Sequence, residues 1–281
     1  MPLSRASGIT SMSDNSAKFI GDIPGHYDRG LGPNIFVDFA DRLTDAACEG
    51  RATNVLELAA GTGIVSRKLR DRLDPAVPLL VSDLNAPMLE VARRKFTEGE
   101  NVSFQVANAM DLQFDDATFD LMVCQFGVMF FPDKPASFRE ARRVLKPGGR
   151  YVFNAFSRMQ ENPYSQIAYE VPARFFPENP PGFYKVPFHY GDPEVVRADL
   201  RAGGWQDVRH ETIRLRKKIV DAEAFARGLV FGNPLIDEIR ARGNVDPETV
   251  AGAVLEALEA RFGPTDMTMP LESTIFTCTV T

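Results

Sequence analysis

From Asn34 to Phe156 the chain alternates short apolar runs with amphipathic stretches of helical period. NIFVDFADRLTDAACEG spaces Ile35, Phe36, Phe39, Leu43 and Ala46 as one helix face and closes on Gly50. TNVLELAAG then reads as a strand and turn, GIVSRKLRDRL as a helix, VPLLVSDLN as a strand and APMLEVARRKF as a second helix. NVSFQVANAM and FDLMVCQFG give two more strands, KPASFREARRVLKPGG a helix stopped by Pro147 and a glycine pair, and RYVFNAF a fifth strand. This rhythm predicts an open parallel sheet with helices on both faces, and such sheets bind ligands beyond the carboxyl ends of their strands.

The flanks differ. Residues 1–18 are small, polar and aperiodic, which predicts a mobile tail, and FIGDIPGHYDRGLGP after it is dense in turn formers. Residues 157–190 are rich in proline and aromatics. DPEVVRADLRAGGW predicts a capped helix ended by Gly203 and Gly204, and VRHETIRLRKKI alternates like a strand. Residues 221–262 carry two or three helical patterns, including one that Asp246 caps with Pro247 at the first helical position, and LESTIFTCTV predicts a last strand. The expected organisation is a core over 19–156, inserted segments over 157–190 and 218–265, and the last helix and strands of the core over 191–217 and 266–281.

Composition narrows the classes. At 44% hydrophobic and 25% charged residues the chain is ordinary globular sequence. Acidic residues outnumber basic ones, 38 to 32, for a net charge of −6, which argues against a nucleic-acid partner or an anionic membrane. Cys48, Cys124 and Cys278 lie far apart, with no zinc spacing and no disulfide framework, so a reducing cytoplasm and no metal are expected. The longest apolar run, Leu121 to Phe131, is too short to span a bilayer, and the N-terminus lacks the apolar stretch of a signal peptide.

Chemistry concentrates in VLELAAGTGIVS, Val55 to Ser66, where an apolar strand ends at an acid and a small-residue loop opens a helix. Small residues admit close backbone approach, and the helix start presents free N–H groups. A dinucleotide loop is one reading, but Ser66 stands where its third glycine belongs. Glu57 would repel a pyrophosphate and suits a ligand with a positive amino group. Asp83 ends the second strand, where a carboxylate accepts from a ribose diol or, more plainly, caps the next turn.

In these motifs the sequence resembles the class I S-adenosylmethionine-dependent methyltransferases, small-molecule branch, near the ubiquinone/menaquinone-biosynthesis enzymes. The glycine motif of that family matches Glu57-Leu58-Ala59-Ala60-Gly61-Thr62-Gly63, with Ala59 where glycine is more usual. The resemblance implies a doubly wound α/β Rossmann-like sheet of seven strands, mostly parallel with an antiparallel last strand, plus helical lid insertions. It implies S-adenosylmethionine as methyl donor, with Asp83 on the ribose, Leu84 and Met88 beside the adenine, and Asn108 in place of a common Asp near the adenine amino group. Ala109 and Met110 would contact the base, and Gln125 and Phe126 would reach the methyl end. Glu57, Ala59, Gly61, Thr62 and Gly63 complete the expected cofactor set.

Transfer from a sulfonium needs alignment and exclusion of water more than a strong base. The catalytic candidates are Tyr27, also a contact to the methionine part, and His189, which faces the acceptor if its segment is a lid. A loop histidine with a local hydrogen bond is the plainer reading of His189. The abundant phenylalanines of the insertions, among them Phe175, Phe176, Phe183, Phe188, Phe225 and Phe231, suit a small, partly apolar or aromatic acceptor or simply the core of lid helices. Two other readings stay open: a non-catalytic S-adenosylmethionine-binding protein and an NAD-linked oxidoreductase.

Overall fold

The structure is a computed structural model that describes residues 16–281. Residues 1–15 of the expected mobile tail lie outside the described residues. One sheet contains β1 (Val55–Glu57), β2 (Leu79–Asp83), β3 (Val102–Val106), β4 (Phe119–Gln125), β5 (Leu145–Phe156), β6 (Asp207–Lys218) and β7 (Thr268–Thr279). Its order is β3-β2-β1-β4-β5-β7-β6. The first five strands pair in parallel, and β7 runs antiparallel to both β5 and β6. This is the sheet that the sequence predicts. Strand order reverses between β1 and β4, so their carboxyl ends flank the crevice where an open sheet takes its ligand. Their burial explains their composition: Val55, Leu56, Leu121, Met122, Val123 and Cys124 are fully covered, as parallel strands sandwiched between helices must be.

The helices are α1 (Ile23–His26), α2 (Val37–Ala47), α3 (Ile64–Arg72), α4 (Ala86–Arg93), α5 (Lys134–Val144), α6 (Pro163–Phe175), α7 (Lys185–Phe188), α8 (Pro193–Ala202), α9 (Ala222–Phe231), α10 (Leu235–Arg242) and α11 (Pro247–Phe262). The side chains of Asp192 and Asp246 accept from the backbone N–H of Glu194 and Glu248, at 3.0 and 3.1 Å, and so cap α8 and α11 as their sequences predict.

One local expectation is corrected. The stretch read as irregular before the first helix is helical: α1, a π-helical run Tyr27–Phe36 and α2 follow without a break. Glycine and proline lower its helical propensity, but tertiary contacts override that. Gly30 lies against α9, where an added Cβ would sit 2.3 Å from the Ala224 carbonyl oxygen and 2.8 Å from Gly228 Cα. Asn34 donates to the Gly30 carbonyl at 2.8 Å and accepts from Val220 N–H at 2.8 Å, locking the π turn to the segment before α9. The proline-rich stretch after β5 is helical, as the resemblance implies: α6 starts on Pro163 and carries Pro172 inside, and α7 follows. Segment 157–190 thus contributes α6 and α7, and 218–265 contributes α9, α10 and α11.

Candidate active site

The loop after β1 is built from left-handed backbone. Ala59, Gly61 and Gly63 take φ of +50°, +57° and +80°. Glycine is required at the third of these for a second reason: a Cβ on Gly63 would sit 2.8 Å from Ala92 Cβ, so α3 starts in contact with α4 only because the side chain is missing. Ala59 adopts the left-handed conformation despite its methyl, which costs about 1–2 kcal/mol. Its Cβ leaves no room opposite: a Cβ on Gly127, after β4, would lie 2.6 Å away.

Asp83 organises the next layer. Its Oδ2 accepts from the Gly61 N–H at 2.8 Å, and its Oδ1 accepts from the backbone and side-chain amides of Asn85 at 2.8 and 3.3 Å. Burial raises its pKa, opposed by those same hydrogen bonds. Asn85 also holds the described N-terminal segment, donating to the Ala17 carbonyl at 3.0 Å and accepting from Phe19 N–H at 3.2 Å. Phe19 packs edge-on against Tyr27, Phe130 and Phe183. Residues 16–19, assigned to the tail or its border by composition, therefore form a strap across the cavity, and no local sequence signal marks it.

The cavity measures about 310 Å³ and opens at the carboxyl ends of β1, β2 and β4. Gly61, Asp83, Asn85 and Asn108 line one end. Aromatic side chains line the other: Phe36, Phe126, Phe156, Tyr164, Phe183 and Phe188. Phe126 stacks on Phe156 with centroids 3.9 Å apart, and Phe156 stacks on Phe188 at 4.9 Å. Phe126 is itself held at φ +51°, its N–H bonded to Asn154 Oδ1 at 3.0 Å, a strained backbone at the junction of the two ends. Asp83 is the one carboxylate of the described lining, which contains no Lys, Arg or His.

The expected residues divide clearly. Tyr27, Ala59, Gly61 and Asp83 line the cavity, as do Leu84, Met88, Asn108, Ala109, Met110, Gln125 and Phe126. Leu84 is 54% exposed, as fits an apolar wall open to solvent until a flat ring covers it, whereas Met88 is buried. Asn108 Oδ1 already accepts from Met110 N–H at 3.1 Å. Gln125 donates to the Phe36 carbonyl at 3.4 Å, and its buried Oε1 has no partner. Tyr27 stacks on Phe36, and burial raises its pKa far above the ordinary phenol value.

Glu57, Thr62 and Gly63 are absent from the lining. Glu57 and Thr62 lie buried, with Glu57 Oε2 and Thr62 Oγ1 unpartnered, and burial pushes the Glu57 carboxyl up to about 8. Glu57 is therefore no solvent-exposed anion: it is covered at the end of β1, one residue before Leu58 enters the cavity wall. His189 is corrected too. Its ring is exposed, bonded through Nδ1 to the Val186 carbonyl, and outside the cavity, since the last turn of α7 points it to solvent. Of the insertion phenylalanines, Phe183 and Phe188 line the cavity, while Phe225 and Phe231 pack in the core. Sequence reasoning missed Tyr164, Tyr184 and Asn233 in the wall. Nothing in helical spacing separates a cavity-facing tyrosine from a core one.

Solved structures share this architecture. The YcgJ protein from Bacillus subtilis superposes with a TM-score of 0.56 over 85% of this chain and 97% of its own, at 19% identity. Phosphoethanolamine N-methyltransferase 2 from Haemonchus contortus gives 0.58 over 93% of this chain and 58% of its own, at 14% identity. The fold and the lined crevice define a Rossmann-like sheet of the methyltransferase type. Residues 34–179 match the ubiE/COQ5 methyltransferase family, and the chain belongs to it. Sequence relatives include the ubiquinone/menaquinone biosynthesis C-methyltransferases UbiE of Hahella chejuensis, 38% identical over 121 residues, and of Rickettsia prowazekii, 36% identical over 115. The matched parts are 42% and 39% of this chain and 48% and 46% of those proteins, so the chain spans about half the length of the curated relatives it matches.

Proposed function

We propose that this chain transfers a methyl group from S-adenosylmethionine to a small, largely apolar acceptor, releasing S-adenosylhomocysteine. The observation that carries the reading is the Asp83 carboxylate, fixed by the Gly61 N–H at the mouth of one cavity whose far end is aromatic and uncharged. The residues present fit the donor. Asp83 has acceptor capacity left for a ribose diol, Leu84 and Met88 offer apolar walls for adenine with Ala109 and Met110 opposite, and Gly61 leaves its backbone bare. Ser66 in place of a third glycine counts against a dinucleotide.

When bound, the sulfonium donor supplies an activated methyl electrophile. The chain aligns it: Gln125 and Phe126 mark the junction between the two ends, and the aromatic wall excludes water from the line of attack. The titratable groups of the lining are Asp83 and the tyrosines 27, 164 and 184, and burial raises the pKa of each. The tyrosines therefore stay protonated near neutrality. The proton that the acceptor sheds as the methyl group leaves the sulfonium for it passes to solvent, since none of these tyrosines is an ionised base near neutrality. The insertions 157–190 and 218–265 act as its lid. The names of the relatives point to a carbon acceptor on a quinone precursor, and the uncharged aromatic end suits such a ring.

Calorimetric titration tests this. Micromolar binding of S-adenosylmethionine and S-adenosylhomocysteine with no binding of NADH is expected. Preference for NADH would favour the oxidoreductase reading, and binding without turnover of any acceptor would favour a non-catalytic one.

A further inference from the structure

Tyr164 is 1% exposed, lies on α6 and lines the cavity at its aromatic end. Its ring is fixed edge-on to Phe188 at 6.1 Å and against Phe225 at 5.9 Å. Its hydroxyl makes no hydrogen bond among the described residues, and that oxygen is not one of their fully sealed unpartnered atoms, so it keeps contact with the space of the cavity it lines. Tyr184, beside it in the wall, shows the ordinary case: its hydroxyl donates to the Leu229 carbonyl at 2.9 Å and accepts from Asn233 Nδ2 at 3.1 Å. A second unpartnered polar atom of the wall, Gln125 Oε1, marks the junction with the donor end.

We propose that the Tyr164 hydroxyl reads the acceptor: it hydrogen-bonds a hydroxyl or carbonyl oxygen of an uncharged, largely apolar molecule and selects against analogues lacking that oxygen. The inference rests on the methyl-transfer reading for the location of the acceptor end. Three observations support it. The hydroxyl makes no bond within the protein and has access to the cavity, so a ligand oxygen can take the place of water there in largely apolar surroundings. Phenylalanines hold the ring, so the oxygen is presented at a fixed point. The lining carries no cation, so an anionic acceptor would lose its hydration without gaining a partner. Tyr164 is a specificity residue in this scheme, and no proton transfer is assigned to it.

The test uses the full chain saturated with S-adenosylhomocysteine and three probes: 2-naphthol, 2-methylnaphthalene and 2-naphthoate. Dissociation constants are measured for the wild type, Tyr164→Phe and Tyr184→Phe. Tyr164→Phe is expected to weaken 2-naphthol about fivefold to tenfold, the range of one neutral hydrogen bond, and to change 2-methylnaphthalene less than twofold. Tyr184→Phe, whose lost oxygen is already bonded within the protein, is expected to leave the ratio of the two unchanged. 2-Naphthoate is expected to bind more weakly than 2-naphthol to the wild type. Equal effects of Tyr164→Phe on the two neutral probes would overturn the proposal, as would failure of both to bind the wild type or tighter binding of the carboxylate. Failure of S-adenosylhomocysteine to bind the wild type would instead overturn the reading beneath it. Thermal unfolding of both variants within a few degrees of wild type establishes that the comparison is between folded proteins.

Discussion

Ala59 and Gly127 share one small volume between the donor loop and the end of β4, and their coupling is open to direct measurement. A methyl added at Gly127 meets Ala59 Cβ at 2.6 Å and Cys124 Sγ at 2.6 Å, where carbon atoms need about 3.5–4.0 Å. Gly127→Ala is therefore expected to destabilise the fold by about 1–3 kcal/mol, the cost of an overpacked site. Ala59→Gly acts in two directions. It relieves about 1–2 kcal/mol of left-handed strain and loses about 0.4–1 kcal/mol to the freer unfolded chain. The net expectation is a gain of about 0–1.6 kcal/mol. In the double variant the contact with Ala59 disappears while the contact with Cys124 persists, so the rescue is partial, with a coupling energy on the order of 1 kcal/mol. Urea unfolding of the four proteins, with equal m-values, gives the cycle. Strict additivity within about 0.3 kcal/mol would refute the claim that these two positions compete for the same space.

Three further outcomes follow from the site. Glu57 has a folded-state pKa of about 8 against an ordinary 4.5, so the folded chain binds the extra proton between those values and wild-type stability falls as pH rises through them. Glu57→Gln removes that loss, and urea midpoints at pH 5.5 and 8.5 should show the variant gaining on wild type at the higher pH. Asn85→Ala frees the strap: hydrogen exchange at the Phe19 amide should accelerate at least tenfold, and S-adenosylhomocysteine affinity should drop about tenfold because Asp83 loses the side-chain amide donor, keeping the backbone one, and the strap loses both its bonds to residue 85. His189→Ala should leave donor affinity and any acceptor turnover within twofold of wild type, since its ring faces solvent.

The parallel centre of the sheet was legible because β1, β2 and β4 are short, mostly buried apolar runs closed by turn chemistry, and the candidate loop after β1 was legible because close approach to a ligand demands small residues at fixed spacing. Asp83, Leu84 and Met88 follow from that register. Elsewhere distant contacts decide the structure. Gly30, Gly32 and Pro33 read locally as a turn, and the helix through them exists because Gly30 meets Gly228 nearly 200 positions away. His189 and Phe188 are neighbours in a proline-rich segment, yet one turn of α7 sends the first to solvent and the second into the cavity wall. Tyr164 carried no mark at all, since its meaning lies in an oxygen left without a partner.

In the proposed reading Asp83 holds the Gly61 loop and binds the donor at once. Titration of S-adenosylhomocysteine into wild type and Asp83→Ala, each verified as folded by thermal unfolding, tests it most directly. Hydrogen bonds to a charged group contribute about 1.5–3 kcal/mol each, so losing two predicts an affinity at least 100-fold weaker in the variant. Equal affinity in the two proteins would contradict the assignment of the donor to this end of the cavity.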